Sequence, residues 1–126
     1  MSLRSPLGQV RGLGSAKEGV SHWWAQRLTA VALVPLALWF VVSAVAHTAA
    51  DYKTAVAWLE QPFVAIPLLL LIVATFHHAQ LGLQVVIEDY VHADWARIAL
   101  IALVKLAAVA LAITCMYAVL KIAFGA

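Results

Sequence analysis

Two adjacent histidines, His77 and His78, fall inside the second of three long apolar runs in this chain. Polar groups at such depth in hydrocarbon are costly and turn toward protein, water or a cofactor. An imidazole nitrogen can fill an open axial position on iron. The plainer role is a hydrogen bond to a carbonyl or hydroxyl of a neighbouring helix, and residue type alone does not choose between the two. Spacing does distinguish the two histidines from each other. Asp89 follows His78 by eleven residues, with Tyr90 next to it. Eleven residues is close to three whole helical turns, so His78 and Asp89 share a face about 16 Å apart along the axis. Gly82 lies one turn beyond His78 on nearly the same face, where a missing side chain leaves room for a flat ring. His77 is rotated from this face by about 100°. One helical face thus presents an imidazole, a bare position and a carboxylate at the membrane edge.

The elements that must position these groups follow from composition. Of 126 residues, 65% are hydrophobic and 11% charged. A soluble domain of this size cannot hide that much apolar surface, whereas a bilayer serves as apolar solvent, at about 20 residues per crossing. The expected fold is an all-α membrane protein with three transmembrane helices. Residues 1–27 form an amino-terminal cytoplasmic and interfacial tail, and 28–126 the membrane domain, with helices at about 28–46, 62–87 and 96–124. The tail holds Gly8, Gly12, Gly14 and Gly19, four of the six glycines. It ends in Ser21-His22-Trp23-Trp24-Ala25-Gln26-Arg27, a segment suited to the headgroup layer. Pro35 is tolerable within the first span, and Pro62 suits the first turn of the second. Ala44-Val45-Ala46 could imitate a signal-peptidase site, but the preceding region is long and the apolar run is sufficient to span.

Arg4, Arg11, Lys17, Arg27 and Arg97 fall on one side of these spans, and Lys53 and Lys121 on the other. The excess of five over two places the amino terminus in the cytoplasm. The net charge of +2 is too small to suggest a nucleic-acid partner. With one cysteine, Cys115, and no glycine-rich dinucleotide fingerprint, the chain can hold neither iron–sulfur clusters nor a flavin.

The stretch from His78 through Gly82 to Asp89-Tyr90 resembles the H-x3-G-x6-D-Y signature of the succinate dehydrogenase hydrophobic anchor family, the D-type small anchor associated with cytochrome b556. Gly12-Leu13-Gly14-Ser15-Ala16-Lys17-Glu18-Gly19, His22-Trp23-Trp24 and Gln26-Arg27-Leu28-Thr29-Ala30 are similar to the segment preceding that family's first helix. The resemblance covers nearly the whole chain. It implies a subunit of respiratory complex II in the bacterial inner (cytoplasmic) membrane. There the chain would anchor a flavoprotein subunit and an iron–sulfur subunit, whose FAD and Fe–S clusters serve the citric acid cycle. It would share a haem b with a C-type cytochrome b anchor subunit, forming a helical bundle with it. His78 would be one axial ligand of the haem iron, Arg27 would lie near the propionates, and Gly82 would pack against the ring. Tyr90 would donate a hydrogen bond to a quinone, supported by Asp89. No catalytic residue is expected in this chain alone.

Each role has a plainer counterpart. Tyr90 could belong to an aromatic belt, Asp89 could be a solvated loop acid, and Arg27 a positive-inside anchor. His22 is a further, lower-ranked candidate for contact with a propionate. His77 reads as structural, His47 and His92 as interfacial, and Lys105 as a cation able to extend toward the headgroups. Trp39, Met116 and Cys115 read as packing or lipid-facing groups. The competing functions are an anchor of a quinol:fumarate reductase, a haem-free structural anchor, and a small transporter using His77, His78 and Lys105 as a proton path.

Overall fold

The computed structural model describes residue 7 and residues 19–125 of the chain. The expected roles of Arg4, Arg11, Lys17 and the Gly12–Glu18 stretch lie outside the described residues. Among the described residues, four helices follow one another from Gly19 onward: α1 (Gly19–Ala46), α2 (Tyr52–Leu59), α3 (Pro62–Tyr90) and α4 (Asp94–Ala123). Three of them, α1, α3 and α4, are long and apolar enough to cross a membrane.

Helix α1 begins nine residues before the expected Leu28, and the Trp-rich segment is its first two turns. The apolar run marks what sits in hydrocarbon. The helix itself continues outward because nothing between Val20 and Val34 breaks it. Pro35 in α1 and Pro67 in α3 both lie within continuous helix. Helix α3 starts with Pro62 in its first turn, after an extended Gln61. The Gln61 carbonyl accepts from the Val64 and Ala65 amides. The helix runs three residues past the expected Ile87, so that Glu88, Asp89 and Tyr90 form its last turn. A connection of only Val91, His92 and Ala93 then turns into α4, whose first turn is tied by an Arg97–Asp94 ion pair at 2.6 Å.

The short α2 occupies what the sequence suggested was a polar loop. Asp51 caps it, its carboxylate accepting from the Thr54 amide at 3.1 Å. Asp51, Tyr52 and Lys53 are exposed, and Trp58 stacks on His47 with ring centroids 4.5 Å apart and planes 23° from parallel. His47, whose Nδ1 donates to the Ser43 carbonyl, thereby links the end of α1 to α2.

Helix α3 is the centre of the arrangement. It packs against α1 on one flank and α4 on the other, while the backbones of α1 and α4 stay apart. The pairings of Thr29 with His78 and Gln26 with Gly82 show α1 and α3 running antiparallel. Among the described residues the buried apolar ones are Val64, Ala65, Ala74 and Leu81, all on α3. Large side chains such as Leu28, Val42, Leu103 and Leu106 point outward. So much outward apolar surface requires hydrocarbon around it, since water would drive it to collapse or aggregate.

The capping contact of α2 is sensitive to protonation. Hydrogen bonds from Thr54 hold the Asp51 carboxyl below the usual carboxylate range. A depressed folded-state value means that the cap is present above the ordinary Asp value and is lost as pH falls through the lowered one. The protection of the Thr54 amide against hydrogen exchange, taken relative to its intrinsic rate at each pH, should therefore fall on acidification. Asp51→Ala should lower that protection at neutral pH, and Asp51→Asn, an equally good cap, should not.

Candidate functional site

Residues three and four apart on facing helices form the contact ridges between them. On α3 the face of Ala74, His78, Leu81 and Gly82 meets α1, and on α1 the meeting residues include Gln26 and Thr29. His78 is half-buried, and both of its ring nitrogens have neighbours. The Thr29 hydroxyl lies 2.9 Å from Nδ1. The Gln26 side-chain nitrogen lies 3.5 Å from Nε2. Thr29 also hydrogen-bonds along its own helix, at 2.7 Å to the Ala25 carbonyl and 3.1 Å to that of Gln26.

Gly82 faces the same carboxamide. A Cβ placed there would lie 3.6 Å from the Gln26 nitrogen, an ordinary contact. Gln26 Oε1 is buried and, among the described residues, has no hydrogen-bond partner. The imidazole is thus turned toward α1, and one rotatable side chain, Gln26, lies beside Gly82.

The other residues singled out from the sequence lie apart from this crossing. Arg27 is exposed, with its guanidinium 5.4 Å from the centre of the Trp23 ring, a cation–π contact. Asp89 and Tyr90 end α3, and Tyr90 is 78% exposed. Among the described residues, no hydrogen bond or ion pair joins Arg27, Asp89 or Tyr90 to one another or to His78. Gln26 and Thr29 were missed as partners of His78. Their signal was a pair of polar residues three apart where the first apolar run begins.

A different face of α3 carries His77, Gln80, Gln84 and Glu88, spaced by three, four and four residues. These line a groove of about 740 Å³ with His22 of α1 and Lys105 of α4. Gln84 Nε2 donates to Glu88 Oε1 at 2.8 Å. An apolar groove of about 270 Å³ between α3 and α4, lined by Phe76, Ile113 and Met116 among others, shares His77 and Gln80 with it. His77 and Lys105, read from the sequence as residues without a site role, therefore face a common space, and His78 is directed elsewhere.

Among the described residues no cluster of three or more His, Cys, Asp or Glu side chains could hold a bare metal ion.

Residues 1–113 match the family described as succinate dehydrogenase/fumarate reductase transmembrane subunit. The chain is 40% identical over 103 residues to the succinate dehydrogenase hydrophobic membrane anchor subunit of Rickettsia bellii, covering 82% of each chain. It is 34% identical to the subunit of the same name from Rickettsia conorii, again covering 82% of each. It is 30% identical to that of Paracoccus denitrificans, covering 77% of this chain and 75% of the relative. No solved structure matches the chain.

The close approach at Gly82 makes a graded prediction. Gly82→Ala should be tolerated, because its methyl meets Gln26 at contact distance. Gly82→Leu should displace Gln26 and strain the α1–α3 contact by about 1–3 kcal/mol, the usual range for overpacking. Thermal unfolding of the purified protein in detergent should drop by several degrees for leucine and stay near wild type for alanine.

Proposed function

The chain belongs to the succinate dehydrogenase/fumarate reductase transmembrane subunit family, and from that membership we propose that it helps hold a haem b and a quinone beside the soluble subunits that it anchors. The soluble pair would be a flavoprotein and an iron–sulfur subunit, which carry the FAD and Fe–S clusters. The second anchor would be a C-type cytochrome b subunit supplying the other axial ligand, and the membrane the bacterial inner one. The same architecture serves a quinol:fumarate reductase when the quinone's potential reverses the flow.

One observation carries the reading: His78 is held inward at the α1–α3 crossing, its Nε2 beside a carboxamide that rests over Gly82. A flat ring there would take the place of the Gln26 side chain, whose buried oxygen has no hydrogen-bond partner among the described residues to hold it. The residues therefore fit an axial imidazole beside a bare backbone position. When bound, haem b would supply a one-electron redox centre within the membrane. Arg27, exposed on the first turns of α1, could exchange its contact with Trp23 for a carboxylate, to which a guanidinium binds with two parallel hydrogen bonds.

At the end of α3, Tyr90 would donate its phenolic hydrogen to a quinone oxygen. Negative charge developing on that oxygen is stabilised by a positioned donor. The protons that complete reduction to quinol come from water at the same membrane edge. Asp89, the adjacent residue, would hold the tyrosine and nearby cations in place.

His78→Ala should abolish or strongly perturb the b-type absorption of the purified complex, and His77→Ala should leave it largely intact. Equal loss from both would mean that the wrong helical face has been assigned. Tyr90→Phe should slow quinone reduction while succinate oxidation with an artificial soluble acceptor persists. Unchanged quinone turnover would remove Tyr90 from the site.

A further inference from the structure

We propose that Thr29 is a positioning residue that fixes the proton of the His78 imidazole on Nδ1 and so makes Nε2 the ligating nitrogen. The inference rests on the reading of His78 as an axial haem ligand and adds to it how this chain prepares that ligand.

The argument is a count of protons. A hydroxyl has one hydrogen to donate. Thr29 Oγ1 lies 2.7 Å from the Ala25 carbonyl oxygen, which can only accept. The Thr29 hydrogen is therefore committed to α1. Its oxygen still has lone pairs, and they face Nδ1 of His78 at 2.9 Å. A hydrogen bond at that distance then needs its hydrogen from the imidazole, which puts the proton on Nδ1. In a neutral imidazole the other nitrogen is left as an acceptor.

A separate contact agrees with this assignment. The group facing Nε2 is the Gln26 amide nitrogen, a donor, at 3.5 Å. Both neighbours of the ring thus call for the same tautomer, and Gln26 stands where a metal would approach. Fixing the unligated nitrogen orients the ring and raises the basicity of the ligating one. Losing such a partner typically lowers metal affinity by about 10- to 100-fold.

The test compares variants within the whole complex. Thr29→Val keeps the shape and removes the hydroxyl, while Thr29→Ser keeps the hydroxyl and removes the methyl group. The expected result is a haem-to-flavin ratio reduced several-fold in the valine variant, with a shifted low-spin EPR signal in the haem that remains. The serine variant should match wild type in both. A valine variant that matches wild type in haem content and EPR signal overturns the proposal, as does a serine variant as impaired as valine.

A measurement without substitution guards against a variant that fails to assemble. In the wild-type complex from haem-deficient cells grown with ¹⁵N-histidine, Nδ1 of His78 should resonate as the protonated nitrogen and Nε2 as the unprotonated one. The reverse assignment overturns the proposal. His78→Ala separates the two levels of inference. If b-type absorption survives in that variant, the ligand reading itself fails. If absorption is lost there while Thr29→Val behaves as wild type, only the role of Thr29 falls.

Discussion

An imidazole within a bilayer has no water to satisfy it, so every hydrogen bond it makes must come from protein or from a bound group. His78 meets that constraint through α1, with Thr29 at one ring nitrogen and Gln26 at the other. These contacts fix which part of α1 lies against which part of α3. Apolar packing alone is a weaker guide to register in lipid, because hydrocarbon solvates a leucine as well as a neighbouring helix does. Setting the rotation of α3 against α1 also sets the direction of everything else on it. His77 then has to face the groove toward α4, and Asp89 and Tyr90 come to the same end of the helix as the amino-terminal turns of α1.

Helix α3 lies between α1 and α4, whose backbones stay apart, and its two faces differ chemically. On the side against α1, the His78 imidazole meets the Gln26 carboxamide and the Thr29 hydroxyl. The groove joins His77, Gln80, Gln84 and Glu88 of α3 to His22 of α1 and Lys105 of α4. This division weighs against a proton path through His77, His78 and Lys105. His77 and Lys105 share a groove, but both nitrogens of His78 are engaged with α1.

The spans were legible because the cost of polar groups in hydrocarbon writes itself into composition, and the face of His78 was legible because helical geometry is strictly periodic. The start of α1 was not, since hydropathy marks the edge of the membrane and not the end of a helix. Helix α2 was not, because eight residues in a polar stretch depend on one cap, Asp51, and on the stacking of Trp58 on a histidine from another helix. Gln26 and Thr29 escaped notice for a deeper reason: the periodicity of one helix says which residues share its face, but not which residue of a second helix they will meet. The roles expected of Arg27, Asp89 and Tyr90 depend on groups outside this chain, so neither its sequence pattern nor its own fold can assemble them.

The thinness of the core follows from the same physics. Among the described residues four apolar ones are buried, all on the middle helix, far too few for a soluble domain, which must be held together by removing apolar area from water. In a bilayer that requirement was met on insertion, before the helices associated. What remains is to select one arrangement among several that lipid tolerates equally. A small number of hydrogen bonds with fixed direction can do this, each contributing on the order of 1 kcal/mol. The polar contact that would ready His78 to bind a metal is thus also the contact that specifies how α1 and α3 meet, so the requirements of the fold and of the site fall on the same few atoms.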